Sequence, residues 1–280
     1  MNGLSMRQWP DRVHRLVRKS GYGFLDLLDV ITGRRDPMIP PRRLAFLYGY
    51  DPEFRIVGEQ FLQYFIELGG LKPHERVLDI GCGIGRCALP LTRYLSGPGA
   101  YRGFDLIPQG VAWCQKHITS RYPHFRFEQA DLYNPTYYPQ GRQAAAQYVF
   151  PYESDLFDFA FSKSVFTHMP PAEIERYLAE CARVLKPGGR CLHTFFILND
   201  ESRALMGQGK SAFDFRHDLG GYLSISRAEP EMAVAFEEGR VRKMFAKAGL
   251  EITDPIRYGS WCGRDTFLSG QDIVLAIKRT

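Results

Sequence analysis

Three aspartates and a run of glycines carry the chemistry most readily placed in this sequence. Residues 77 to 86 read Val-Leu-Asp-Ile-Gly-Cys-Gly-Ile-Gly-Arg, an apolar strand running into a turn with glycine at 81, 83 and 85. A tight strand-to-helix turn needs backbone angles that glycine alone adopts freely, and the missing Cβ lets a ligand approach the main chain. Asp79 sets a carboxylate in front of the turn, where it would repel a pyrophosphate and suit a cationic group. The spacing Gly-x-Gly-x-Gly, rather than Gly-x-Gly-x-x-Gly, likewise speaks against a nicotinamide dinucleotide. Asp105 follows some 20 residues after the glycines, the place from which a carboxylate accepts from both vicinal hydroxyls of a ribose. Asp131-Leu132 sets an acidic acceptor beside an apolar side chain, and His168 offers a base that titrates near neutrality. His217-Asp218 is a second candidate base.

These groups need a scaffold, and the apolar pattern supplies one. Strands are predicted at 76–80, 100–105, 125–129, 157–162, 190–198, 250–257 and 272–278. Helices are predicted at 59–68, 86–94, 108–119, 171–185 and 237–248. The alternation implies a doubly wound, mainly parallel sheet whose functional edge is formed by the C-terminal strand ends. Two stretches, about 132–156 and 199–236, exceed ordinary connections and are expected to shape a substrate pocket.

In this order and spacing the motifs resemble the class I S-adenosylmethionine-dependent methyltransferases, over roughly residues 59–280. The resemblance implies an α/β, Rossmann-like seven-stranded sheet with an antiparallel last strand, preceded by N-terminal helices. It implies S-adenosyl-L-methionine as cofactor, its methionine part wrapped by Asp79, Gly81, Cys82, Gly83, Gly85 and Arg86. Asp105, with Leu106 beside it, would take the ribose hydroxyls, Asp131 and Leu132 the adenine, and Ser162 would border the cofactor at the end of the fourth strand. Tyr177 to Gly189, including Lys-Pro-Gly-Gly, resembles the helix and turn before the family's fifth strand, a structural motif without chemistry of its own.

The acceptor is not written in any motif. Methyl transfer from a sulfonium is an in-line displacement, so a base is needed only where the nucleophile must lose a proton, and His168 is the candidate at the right edge. Asn134-Pro-Thr-Tyr137 is similar to the Asn-Pro-Pro-Tyr motif of enzymes that methylate nucleic-acid amines, but it follows strand three rather than strand four. Asn199-Asp200 offers too few oxygens for magnesium. Tyr133, Tyr137, Tyr138, Phe213, Phe215 and Tyr222 crowd the insertions, and Trp261 is expected as a further pocket wall; a satellite core under long loops is the competing reading. The expected function is methyl transfer to a hydroxyl of a small molecule or glycan. The alternatives are a membrane-associated lipid head group or an amine, and a methyltransferase-like protein that binds without turnover.

The chain has 280 residues, 45% of them apolar, and no run approaching the roughly 20 apolar residues that span a bilayer. Its net charge of +5 lies in residues 1–43, which hold nine basic and four acidic side chains, so the body is neutral. A neutral body disfavours a nucleic-acid partner. Trp9 to Lys19 has the pattern of a basic amphipathic helix, followed by an apolar segment 24–32 and a proline-rich strap. Residues 1–58 are therefore expected to form a lid or a peripheral membrane contact, with 59–280 the catalytic domain. With no spanning run and no signal-peptide apolar core, a reducing, cytoplasmic setting is expected, and six scattered cysteines without a C-x-x-C pair predict buried thiols and no metal.

Overall fold

The computed structural model describes residues 23, 25–29, 31, 32, 36–48 and 53–279; the expected basic helix at 9–19 lies outside them. Seven strands form the main sheet: β1 (Arg76–Ile80), β2 (Ala100–Asp105), β3 (Phe125–Gln129), β4 (Phe157–Ser162), β5 (Leu185–Phe195), β6 (Leu250–Ile252) and β7 (Asp272–Lys278). Their order is β6-β7-β5-β4-β1-β2-β3, with β7 antiparallel to both neighbours and the β5-β4-β1-β2-β3 neighbours pairing in parallel. This is the doubly wound sheet that the alternation implied. The order reverses beside β1, so β1 carries the glycine turn out at the switch point where ligands bind in such sheets.

Both faces of the sheet are buried, which is why its strands read as apolar runs instead of alternating. On one face Val77, Phe159, Phe161 and Leu192 meet α1 (Phe54–Glu67), α2 (Ala88–Tyr94) and α3 (Pro108–Cys114) through Phe65, Leu91 and Val111. On the other, Leu78, Ala160, Cys191 and Phe195 meet α4 (Pro171–Val184) and α6 (Glu238–Lys247) through Leu178, Cys181 and Phe245. One more helix, α5 (Asp200–Gly207), starts at a capping box in which Asn199 accepts from Ser202 N and the Ser202 hydroxyl accepts from Asn199 N. Arg190 ties the layers together, pairing with Glu75 at 2.7 Å and donating to the Gly69 and Gly70 carbonyls at the end of α1.

Several boundaries differ from expectation. α1 begins at Phe54, five residues early, and α3 widens into a π turn over Gln115–Thr119. β6 is three residues long, its predicted extension reduced to a bridge between Arg257 and Ile273. β5 ends at Phe195, and Ile197–Leu198 joins a second sheet with Val234–Glu237, Leu223–Ser224 and His217–Asp218. The insertion at 199–236 is thus largely ordered. Phe213, Phe215 and Trp261 belong to its own small core with Phe196 and Leu198, as the satellite-core reading anticipated. Trp261 is 3% exposed and donates to Asp272, so it is a core residue and not a pocket wall. All six cysteines are buried free thiols. Among the described residues, no helix is long and apolar enough to cross a membrane.

Candidate functional site

The turn after β1 takes the left-handed angles that its glycines permit, with φ of +80° at Gly81 and +55° at Gly83. Its main chain is fastened from β2. The Phe104 carbonyl accepts from the Gly81 and Cys82 amides, and the Asp105 carboxylate accepts from Gly83 N at 2.8 Å and Ile107 N at 2.9 Å. Each Asp105 oxygen is therefore oriented by one backbone N–H and keeps a second lone-pair direction. Burial pushes this carboxyl above its ordinary range, and the Ile107 and Gly83 amides, the Tyr48 hydroxyl and the Leu106 amide pull it back. A third donor was invisible in the sequence: the Tyr48 hydroxyl lies 3.4 Å from Asp105 Oδ1 and 3.4 Å from the Ile107 carbonyl.

Asp79 sits beneath the turn, 2% exposed, and accepts from the Tyr101 hydroxyl at 2.5 Å. Burial raises its pKa to about 8, although the Tyr101 bond and the nearby Lys163 ammonium act the other way. A buried acid in this state gains from a cation placed beside it. Arg86 lies over the Phe54 ring at 5.6 Å. Other expected contacts are placed differently. Cys82 packs against Gly103 within the core, and Leu132 is also a core residue. Ser162 is fully buried, its hydroxyl bonded to His193 Nδ1 at 2.8 Å, so it props β5 instead of bordering the open edge. Leu106 is partly buried against the α4 face. Asp131 is engaged by Arg142, whose Nε lies 2.5 Å from Oδ2, so an adenine amine would have to share that carboxylate.

Across the edge from the turn, the segment after β4 passes through Ser164, whose φ of +57° is unusual for a residue with a side chain, and sets Val165 over Gly81. His168 follows at the end of this segment. Its Nδ1 lies 2.8 Å from the Glu231 carbonyl, which can only accept, so Nδ1 carries the proton and Nε2 is left with a lone pair. Burial holds the imidazole below its usual pKa, keeping it neutral at pH 7. The Tyr137 ring meets His168 edge-on at 6.0 Å, and Asn134 forms the turn that presents it by accepting from Thr136 N and Tyr137 N. Glu173, at the start of α4, is raised to about 7 by burial and by Glu231. Tyr222 stacks on Phe236 close to these carboxyls, and Tyr133 is 52% exposed. His217 lies in the outer strand of the small sheet, and Asp218 closes a turn by accepting from Gly220 N. Among the described residues, no hydrogen bond or ring contact joins His217 to His168, so the structure does not assemble them into one base.

Residues 77–189 match the model of the methyltransferase domain family. Over 129 residues the chain is 35% identical to phthiotriol/phenolphthiotriol dimycocerosates methyltransferase 1 of Mycobacterium ulcerans, covering 46% of this chain and 39% of that protein. A solved S-adenosylmethionine-dependent methyltransferase of Methanosarcina mazei superimposes with a TM-score of 0.51 at 19% identity, over 76% of this chain and 97% of that one. Residues 77–189 thus match a methyltransferase domain, and the solved S-adenosylmethionine-dependent methyltransferase has the same fold. A second solved methyltransferase fold aligns over 99% of this chain and 94% of its own, at a TM-score of 0.50 and 16% identity. It is the Burkholderia thailandensis 1,6-didemethyltoxoflavin-N1-methyltransferase with S-adenosylhomocysteine bound. The chain spans about two fifths of the length of the curated relatives it matches.

The methyltransferase cofactor, S-adenosylmethionine, suits the residues present. Asp105 offers two preoriented oxygens to a pair of vicinal hydroxyls, Gly81 and Gly83 present main chain without a Cβ, and Asp79 is a buried acid that favours a neighbouring ammonium. The residues missed by sequence reasoning are Tyr48, Lys163 and Glu173, none of which belongs to a spaced motif. Also missed was a juxtaposition: Cys181 of α4 and Cys191 and His193 of β5 bring their ligating atoms within 4.8 Å of one another in the core.

Proposed function

We propose that this methyltransferase moves the methyl group of S-adenosylmethionine onto a hydroxyl of a small-molecule acceptor, with His168 as the base. The observation that carries this reading is the His168 tautomer. With Nδ1 donating to the Glu231 carbonyl, Nε2 carries the lone pair that can take a proton. Bound in the site, the cofactor supplies a methyl carbon on a sulfonium. The chain's share is to hold the acceptor hydroxyl in line and to take its proton on Nε2 as the oxygen–carbon bond forms and the sulfur–carbon bond breaks. Tyr137 and Tyr222 would border the acceptor; the assignment of 1–58 as lid and 59–280 as catalytic domain is part of the same proposal. The test is turnover against a panel of hydroxyl and amine acceptors with wild type and His168→Gln. Preference for hydroxyls, lost in the variant, supports the reading; amine turnover undiminished in the variant defeats it.

A lipid-like acceptor is the second reading. Met232, beside the carbonyl that holds His168, is 47% exposed, and the curated relatives carry names of lipid substrates, phthiotriol and phenolphthiotriol dimycocerosates. The +5 segment 1–43 would then favour an anionic bilayer surface. Higher turnover of an acyl-chain-bearing alcohol in anionic vesicles than of its short-chain analogue in solution would favour this reading, and equal turnover would count against it.

A further inference from the structure

Tyr48 stands where the ribose of the cofactor has to bind. Asp105 already accepts one backbone N–H on each oxygen, so one lone-pair direction per oxygen remains, and a pair of vicinal hydroxyls needs both. The Tyr48 hydroxyl takes up the one at Oδ1. It is seated there by the absence of side chains. A Cβ on Gly110 would overlap the phenol oxygen, and one on Gly83 would touch the ring at 3.4 Å. The phenol has one proton to share between Asp105 and the Ile107 carbonyl, both at 3.4 Å, so the hold is weak and exchangeable. The helical turn just before it, Arg42–Ala45, is anchored, because Asp26 accepts from Arg42 N at 2.9 Å and Arg43 N at 3.2 Å.

We propose that Tyr48 is a built-in competitor for the ribose of the cofactor: its phenol occupies Asp105 until the cofactor displaces it, and the turn Phe46–Tyr48 gives way while Arg42–Ala45 stays fixed. This deepens the cofactor assignment of the same site and rests on it. The hydroxyl remains a donor throughout the working pH range, since burial and the Asp105 charge push its pKa upward.

The test is titration of the full chain and of Tyr48→Phe and Tyr48→Ala with S-adenosylhomocysteine by calorimetry, with stopped-flow binding beside it. Tyr48→Phe should bind about tenfold more tightly, the scale of one side-chain hydrogen bond no longer in competition. In wild type the observed rate should level off with rising ligand, because release of Tyr48 becomes limiting, and in Tyr48→Ala it should stay linear. Wild-type binding with unchanged or weaker binding by Tyr48→Phe overturns the proposal alone, and the phenol is then a contact of the bound cofactor or a bystander. Binding by none of the three chains overturns the cofactor assignment as well.

Discussion

In the proposed mechanism Asp105 serves binding and His168 serves chemistry, and substitution separates the two. Asp105→Ala removes the acceptor of both ribose hydroxyls, so affinity for S-adenosylhomocysteine should fall on the order of 100-fold by calorimetry. The same change leaves the Gly83 and Ile107 amides without their acceptor, so melting of the variant must be followed alongside. His168→Gln should leave that affinity intact and lower turnover by ~10²-fold or more. The pH profile adds a sharper mark. Since burial holds His168 below 6.5, its protonation should lower wild-type kcat/KM for the acceptor, measured at saturating cofactor, only as pH drops through a value below 6.5. The variant should lack this acid limb, whereas a residue that only shapes the pocket would leave it in place.

At the scale of elements, the turn after β1 is held from opposite sides by β2 and by the segment after β4. Gly81→Ala meets two obstacles: a φ of +80° and overlap with Val165 Cγ2. The expected loss is about 1–3 kcal/mol by chemical denaturation. Adding Val165→Ala removes the overlap but not the strained angle, so the double variant should be less damaged than the sum of the singles. Equal additivity would mean that the turn rests on Val165 less than the geometry implies. This half of the site was legible in the sequence, because glycine spacing and long apolar strands are local signals that survive without neighbours. The second sheet was not. Its strands His217–Asp218 and Leu223–Ser224 are two residues each, too short to carry a period of two. Tyr48 was equally silent, since its partner Asp105 lies 57 residues away and neither flank marks the contact. Ser162 and Trp261 were misplaced for a related reason: sequence sets one at a strand end and the other in a connection without saying which way either side chain turns.

Over the whole molecule, the buried acids give stability an unusual dependence on pH. Asp79 is raised to about 8, Glu173 to about 7 and Asp272 to about 6, each mainly by burial. A carboxyl whose folded value exceeds its unfolded one binds more protons in the native state, so its contribution is full below about pH 4 and is lost as pH rises through the folded value. His168 has the opposite sign, because its lowered value makes the unfolded chain the better proton binder below 6.5. Surface acids held low by partners, such as Asp254 beside Arg242, act only at more acidic pH and leave this range untouched. Between about pH 6.5 and 8 the terms of Asp79 and Glu173 are therefore unopposed by these groups, and the Tm of the cofactor-free chain should decline across that interval. Asp79→Asn keeps an acceptor for the Tyr101 hydroxyl but cannot ionise, so most of the decline should vanish in it. A decline as steep in the variant as in wild type would show that the carboxyl beneath the glycine turn is ionised throughout. Its affinity for the ammonium of the cofactor would then be independent of pH over the same interval, whereas a protonated Asp79 requires that affinity to rise with pH up to about 8.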